Sequence, residues 1–327
     1  MAGSIADVDG ILVGHAQDDA RRSGVTVLLF PRGAAGGADI RGEAAGTRQM
    51  DSLIRPHPAQ RVDALVFAGG SAFGLETATG VVRWLEERSI GFPTPGGAVP
   101  IVPTAILYDL GYAEGARRPD AAMGYEAAGA ASSLPPRRGS VGAGTGATVG
   151  KVLGIGRAMK GGFGTASECG GGTVVGACAV VNAFGDVVDS ATGEWVAGAR
   201  AEGSDTAADT EALFRSGFRR EPFASENTTL GVVATADLLT REELWSVARM
   251  AHSALCRAIR PVHTPMDGDV VIAVATGASG RRGNVLQVAV LGARALEASI
   301  LDGVRSATGT AKVPAAAERT GRRGEKP

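Results

Sequence analysis

Aromatic residues are scarce in this chain, with three Trp, three Tyr and nine Phe in 327 residues, so its core is expected to be built from Ala, Val and Leu. Cys169, Cys178 and Cys256 are an odd number without paired spacing, which indicates neither a disulfide framework nor a zinc site. No apolar run reaches the roughly eighteen residues of a membrane-spanning helix, and "MAGSIADVDGILVGH" carries acids where a signal peptide has basic and apolar regions. A soluble, cytoplasmic protein without a membrane partner is expected. Acids and bases nearly cancel, at a net charge of −1, which gives no reason to expect nucleic acid as a partner either.

What the chain has in excess is glycine. Its 49 glycines are about twice the usual share, without the polar, proline-rich bias of disorder. Many tight turns and close backbone approaches in a folded α/β protein would use them. Short runs rich in Val, Leu and Ile recur, each bounded by Gly, Asp or Asn: "GVTVLLF", "DALVFAGG", "TVVGACAVVNAFGDVVD", "LGVVATA" and "DVVIAVAT". They read as strands, the third as two strands joined around "NAFG". Their near-continuous apolar character implies sheets covered on both faces.

Helical patterns alternate with these runs. In "LTREELWSVARMAHSALCRAIRP", Thr240 and Glu243 form a capping-box pattern, an apolar stripe runs from Leu244 to Ala258, and Pro261 ends the pattern. "FGLETATGVVRWLEERS" and "NVLQVAVLGARALEASILDGV" also predict helices. Residues 193–227 read as a surface loop with room for one short helix. Neither a repeat nor a linker divides the chain, so residues 1–307 are expected to form one domain. Residues 308–327 lack periodicity and are expected to be a disordered tail.

Several motifs invite chemistry. "VGAGTGATVGKV" fails as a P-loop, because Thr145 stands at the first required glycine and Val152 follows Lys151. It reads either as a turn with an exposed lysine or as a backbone-lined pocket where Lys151 stabilises an anion or shifts a neighbour's pKa. "VHTPMDGDVV" brings His263, Asp267 and Asp269 close in sequence, as a polar loop, a weak metal pattern, or two carboxylates orienting a nucleophile and its ammonium. His15, His57 and His252 stand alone and are read as structural. Asn227-Thr228-Thr229, in "SENTTLGVVAT", is either an Asx turn before a strand or a self-processing site. In the second case the Thr228 hydroxyl attacks the Asn227 carbonyl, water resolves the ester, and the freed α-amine of Thr228 becomes the base for its own hydroxyl.

These segments together carry a resemblance. "DVDGILVGHAQD", "ADIRGEAAGTRQMD", "GGSAFGLETATGV", "VPIVPTAILYDL", "VGAGTGATVGK", "VVNAFGDVVD", "NTTLGVVAT" and "AIRPVHTPMDGD" occur in order, and the chain resembles the DmpA-type self-processing aminopeptidases (peptidase family S58). The nylon-oligomer (6-aminohexanoate oligomer) hydrolases belong to the same family. The resemblance implies a four-layer αββα sandwich of the N-terminal-nucleophile hydrolase type and a cut into fragments 1–227 and 228–327. It also implies association of those fragments, a homotetramer, and no metal or cofactor. It places the nucleophile at Thr228, the cleaved bond at Asn227-Thr228, the family lysine at Lys151, the oxyanion donor at Asn182 and the carboxylate pair at Asp267 and Asp269. Tyr108, Gly70 and Ser71 are expected at the substrate, with backbone N–H groups near "GGSAFG" as further oxyanion donors. Thr followed by Thr, and "MDGD", are closer to the nylon-oligomer hydrolases than to the aminopeptidases, which have Ser and a Ser/Glu pair. The implied activity is hydrolysis of amides in peptides or linear oligomers. The alternatives are an acyltransferase like the ornithine acetyltransferases, and a binding protein that lost catalysis.

Overall fold

The computed structural model describes residues 3–20, 22–112, 118–219 and 227–318. The elements that frame the site are β1 (Leu12–Asp18), β2 (Ser23–Gly42), β3 (Gly46–Arg48), β4 (Val62–Ala68), α1 (Thr77–Glu86), β5 (Thr104–Ile106) and α2 (Ala121–Gly129). They continue with β6 (Gly162–Gly170), β7 (Thr173–Asn182), β8 (Thr228–Thr235), α3 (Arg241–Ala258), β9 (Gly268–Ala275) and α4 (Val285–Arg305).

Hydrogen bonding runs β6-β7-β8-β9-β2-β4-β5-β3, with β1 also on β2. β2 makes this one ladder into two packed sheets. Its first part pairs with β1 and β4, its last part (Ala35–Gly42) with β9, and the β4 register shifts between Leu29 and Ala34. Pro31 and the left-handed Gly33 (φ 73°) lie in that interval, where proline removes a ladder donor and glycine permits the bend.

Three apolar cores define the layers. Leu28, Phe30, Leu65 and Phe67 from one sheet meet Val180, Leu230, Val232, Val270 and Ile272 from the other. Behind the first sheet, Val25, Val27 and Val66 pack on Val81 and Leu85 of α1 and on Met123 and Ala127 of α2. Behind the second, Ala177, Val233, Val271 and Ala273 pack on Leu244, Val247 and Leu255 of α3 and on Val288, Leu296 and Ile300 of α4. The stack is therefore helix, sheet, sheet, helix, the expected αββα arrangement. Strands covered on both faces explain the unbroken apolar runs.

The α3 capping box forms as read, with Thr240 accepting from Glu243 N and the Glu243 side chain returning to Thr240 N. "TVVGACAVVNAFGDVVD" is two strands, Thr173–Asn182 and Asp186–Val188. The loop at 193–227 holds one short helix, Thr210–Arg215, and a three-residue strand, Trp195–Ala197; residues 220–226 lie outside the described residues. The expected disordered tail needs correction in its first part. Val313, Ala315 and Ala316 are buried, and Glu318 accepts from Gly309 N and Ala315 N. Small apolar side chains there fill a gap beside α4 without needing periodicity, while 319–327 lie outside the described residues. Among the described residues no helix is long and apolar enough to cross a membrane.

Candidate active site

Thr228 is the first residue of β8, a strand buried along its whole length. Its cross-strand partner on β7 is Asn182, the last residue of that strand. On the other side β9 runs parallel to β8, and Asn227 and Asp267 form a bridge just outside that ladder. Three strand ends thus bring Asn182, Thr228 and Asp267 into one buried row.

The bond between Asn227 and Thr228 sits in a particular setting. The Thr228 hydroxyl donates to the Asn227 carbonyl oxygen at 2.5 Å, and Gly268 N donates to the same oxygen at 3.0 Å. Two donors on one carbonyl draw electron density toward its oxygen and expose its carbon to attack. Gly268 is required here, because a Cβ would stand 2.7 Å from the Ala44 oxygen and the Ala45 Cα. The Asx-turn alternative for Asn227 is not what forms: its Nδ2 lies 3.5 Å from Met266 O, and its Oδ1 is buried without a partner.

The carboxylates come from a turn and the strand after it. Asp267 N donates to Thr264 O across the "TPMD" turn, with Pro265 in the position that proline favours. The Asp267 carboxylate accepts from Thr264 N (3.0 Å), Thr264 Oγ1 (2.6 Å) and, more weakly, Phe184 N (3.4 Å). Burial, then the neighbouring Asp269 charge, push Asp267 up to about 6. Asp269 Oδ1 accepts from Thr229 N at 2.7 Å, and its Oδ2 meets His263 Nδ1 at 2.8 Å. The Asp267 and Asp269 carboxylates therefore spend their oxygens on protein donors, His263 among them. Among the described residues no three His, Cys, Asp or Glu side chains gather so as to hold a metal ion.

The opposite flank is basic. Gly150, left-handed at φ 71°, turns the chain into a short 3-10 segment whose first residue is Lys151. Lys151 is buried, and its Nζ donates to Thr148 O (3.0 Å), Asn182 O (2.9 Å) and Asn182 Oδ1 (2.9 Å). It is thus not an exposed turn lysine. Asn182 Oδ1 also accepts from Thr148 N, which fixes the amide orientation and sends Nδ2 to Tyr108 O at 3.1 Å. Tyr108 is half-buried at the edge of this network.

The "GGSAFG" turn opens with two amides engaged within the fold. Gly70 N donates to Asp109 Oδ1 (2.7 Å) and Ser71 N to Leu107 O (3.0 Å). Those amides are already spent on holding the turn, so in this arrangement they are not oxyanion donors. Sequence reading missed Gly268, whose N–H donates to the Asn227 carbonyl oxygen, although its place between two aspartates was a visible signal.

Sequence reading also missed a second polar cluster. Asp109, next to Tyr108, accepts from Ser23 Oγ at 2.6 Å; burial raises its pKa, against the hydrogen bonds of Ser23 and Gly70 and the charge of Lys160. Lys160 is fully buried and donates to Thr145 O (2.9 Å) and Ala147 O (2.7 Å). Burial pulls it down to about 7 against the attraction of Asp109.

A buried threonine thus opens β8, flanked by an amide, a lysine and two carboxylates within an αββα sandwich. Comparison with known proteins makes this specific: residues 3–324 match peptidase family S58. An uncharacterized aminopeptidase of Mycobacterium tuberculosis (strain ATCC 25618 / H37Rv) is 44% identical over 289 residues, 84% of this chain and 82% of that protein. A 6-aminohexanoate-oligomer endohydrolase of Kocuria sp. (strain KY2) is 31% identical over 285 residues, 83% of this chain and 74% of its own. The L-aminopeptidase D-Ala-esterase/amidase of Ochrobactrum anthropi, described as a new variant among the Ntn hydrolase fold, superposes with a TM-score of 0.69 at 18% identity, over 97% of this chain and 92% of that one. A Burkholderia sp. beta-aminopeptidase gives 0.68 at 20%, over 95% and 89%. The chain belongs to peptidase family S58. It is an amide hydrolase with an Ntn-type fold, and the acyltransferase alternative is not favoured by these matches.

Proposed function

We propose that the protein matures by cutting its own Asn227-Thr228 bond and then hydrolyses amides of peptides or linear oligomers with Thr228 as N-terminal nucleophile. The observation that carries this reading is the Asn227 carbonyl oxygen held by both the Thr228 hydroxyl and Gly268 N–H. In the first step Thr228 Oγ1 bonds to the Asn227 carbonyl carbon, the C–N bond breaks and the nitrogen takes up the proton. Water then hydrolyses the ester, leaving a carboxylate on Asn227 and a free α-amine on Thr228. An unperturbed α-amine, at about 7.7–8.0, can accept the hydroxyl proton near neutrality.

The mature site repeats the chemistry on a substrate. The ester formed during processing is itself an acyl-enzyme, with Asn227 as the acyl group, so the same surroundings can serve both reactions. Asn182 Nδ2 is the side-chain donor for the tetrahedral oxyanion. Lys151 on Asn182 Oδ1 polarises that amide and strengthens its N–H groups. Asp267 and Asp269 hold the Thr228 amine, and Tyr108 forms the wall beside Asn182. Collapse expels the amine portion of the substrate, and water releases the acid.

Intact-mass spectrometry of the wild type beside Thr228→Ala and Thr228→Ser tests the reading. Fragments 1–227 and 228–327 should form in the wild type, more slowly in the Ser variant, and never in the Ala variant, which should also lack amide hydrolysis. Turnover surviving in Thr228→Ala would sink the mechanism.

A further inference from the structure

A carboxylate oriented toward a nascent amine must present one particular oxygen, yet the terminal torsion of Asp is broad and two-fold. Something outside the side chain has to fix Asp269. Its Oδ1 is on Thr229 N at 2.7 Å, one peptide from Thr228. Its Oδ2 is taken twice by a single residue, by His263 Nδ1 at 2.8 Å and by His263 N at 3.3 Å. Facing a carboxylate, Nδ1 is the nitrogen that carries the proton.

His263 itself is held at some cost. Its backbone is left-handed at φ 55°, a region that residues other than glycine enter sparingly and that clusters at functional sites. Its ring stands edge-on to the His252 ring at 4.9 Å and 70°. His252 is in turn anchored from α3 through Nε2 to Asp39 O of β2 at 3.1 Å. The charged groups around this pair are Asp267 and Asp269, Asp39, and Arg41, which is the cross-strand partner of Asp269. His263 Nε2 is buried without a partner. An apolar ring would fill the same space against His252 without leaving that nitrogen unsatisfied, so packing does not account for a histidine here.

We propose that His263 is a positioning residue for Asp269: its ring and backbone donors pin one carboxylate oxygen so that the other holds the Thr229 N–H, and with it the Thr228-Thr229 backbone, in place for cleavage and then faces the amine that cleavage creates. This rests on the self-processing reading above. His252 is then the wall that keeps the imidazole in place.

The test uses the full-length chain and needs no substrate, because self-cleavage is the readout. His263→Asn keeps a donor near the Nδ1 position and tolerates the left-handed backbone. His263→Asp has nearly the same shape and the same backbone tolerance but presents an acceptor to Asp269. The rate at which fragment 228–327 appears in freshly prepared protein should stay within about threefold of wild type for His263→Asn. It should fall at least about tenfold for His263→Asp and His263→Ala, the scale of one lost hydrogen bond to a charged group. Thermal melts accompany the rates, and because the Asn and Asp variants match in shape, the comparison survives a misfolded Ala variant. His263→Asp cutting at the wild-type rate, or His263→Asn as slow as His263→Asp, would overturn the inference while leaving self-processing intact. A wild-type chain that stays whole would remove both.

Discussion

The two flanks of Thr228 are built on opposite terms. On the basic side, Lys151 has three acceptors, the Asn182 oxygen has two donors and its nitrogen reaches Tyr108 O. On the acidic side, Asn227 Oδ1, Thr229 Oγ1 and His263 Nε2 are buried without partners, and two carboxylates crowd each other. A satisfied buried network is rigid, whereas unpaired buried polar atoms raise the energy of the state that contains them. The uncut chain is thus satisfied on one side of Thr228 and holds unpaired buried polar atoms on the other. On the basic flank the Asn182 amide is already held in one orientation by Thr148 N, Lys151 Nζ and Tyr108 O. On the self-processing reading proposed above, cutting before Thr228 would place a new ammonium on the acidic flank, beside Asp267 and Asp269.

Removing the ammonium from the saturated side breaks the contrast most severely. Lys151→Met retains most of the stem but strips the donor from Asn182 Oδ1, Asn182 O and Thr148 O. Fragment formation and amide turnover should both drop by about 10²–10³, the scale of losing a preorganised oxyanion donor. Timed intact-mass spectra and an amide hydrolysis assay measure this. Wild-type rates in Lys151→Met would mean that the basic network is scaffolding only. A smaller effect is expected at Gly268→Ala, where the new Cβ meets Ala44 O and Ala45 Cα at 2.7 Å. The strand must shift, drawing Gly268 N away from the Asn227 oxygen, and processing should slow by about tenfold, as for one hydrogen bond to developing charge. Unchanged processing with a lowered melting temperature would show that this amide only holds the fold.

How far the sequence carried the reading differs between the flanks. The layers were legible because strands buried on both faces read as apolar runs, and α3 announced itself through Thr240, Glu243 and its stripe. Thr228, Lys151, Asn182 and the two aspartates were found through ordered motifs, and the strand pairing brings them together. What stayed hidden depends on pairing across the fold. β6, "GFGTASECG", is too rich in glycine and small polar residues to read as a strand, yet it is held by pairing with β7. α2 was missed because "AAMGYEAAG" is small and short. Gly70 and Ser71 were expected at the substrate, and no local pattern shows that Asp109 and Leu107 take their amides. Lys160 lies nine residues after Lys151 in a stretch without a motif, and only the fold brings it near Asp109.

The smallest predicted effect tests whether the acidic flank is strained at all. The folded-state value of Asp267, about 6, stands above its ordinary 3.8. Between those values the folded chain holds a proton that the unfolded chain has released. The stabilising contribution is therefore complete below the lower value and is lost as pH rises through the upper one. Asp267→Asn removes this titration. In a Thr228→Ala background, which keeps both proteins uncut, the Asn variant should gain on the order of 1–3 kcal/mol relative to its parent between pH 4 and pH 7. Denaturant unfolding at the two pH values reads this directly. A difference that does not change with pH would mean that neither burial nor Asp269 disfavours the Asp267 charge, and the acidic flank would lose its claim to stored strain. If the gain appears, the cut wild type supplies the sharper comparison. There the Thr228 ammonium should draw Asp267 back toward ordinary carboxylate behaviour, because an opposite charge favours the ionised form that burial and Asp269 resist.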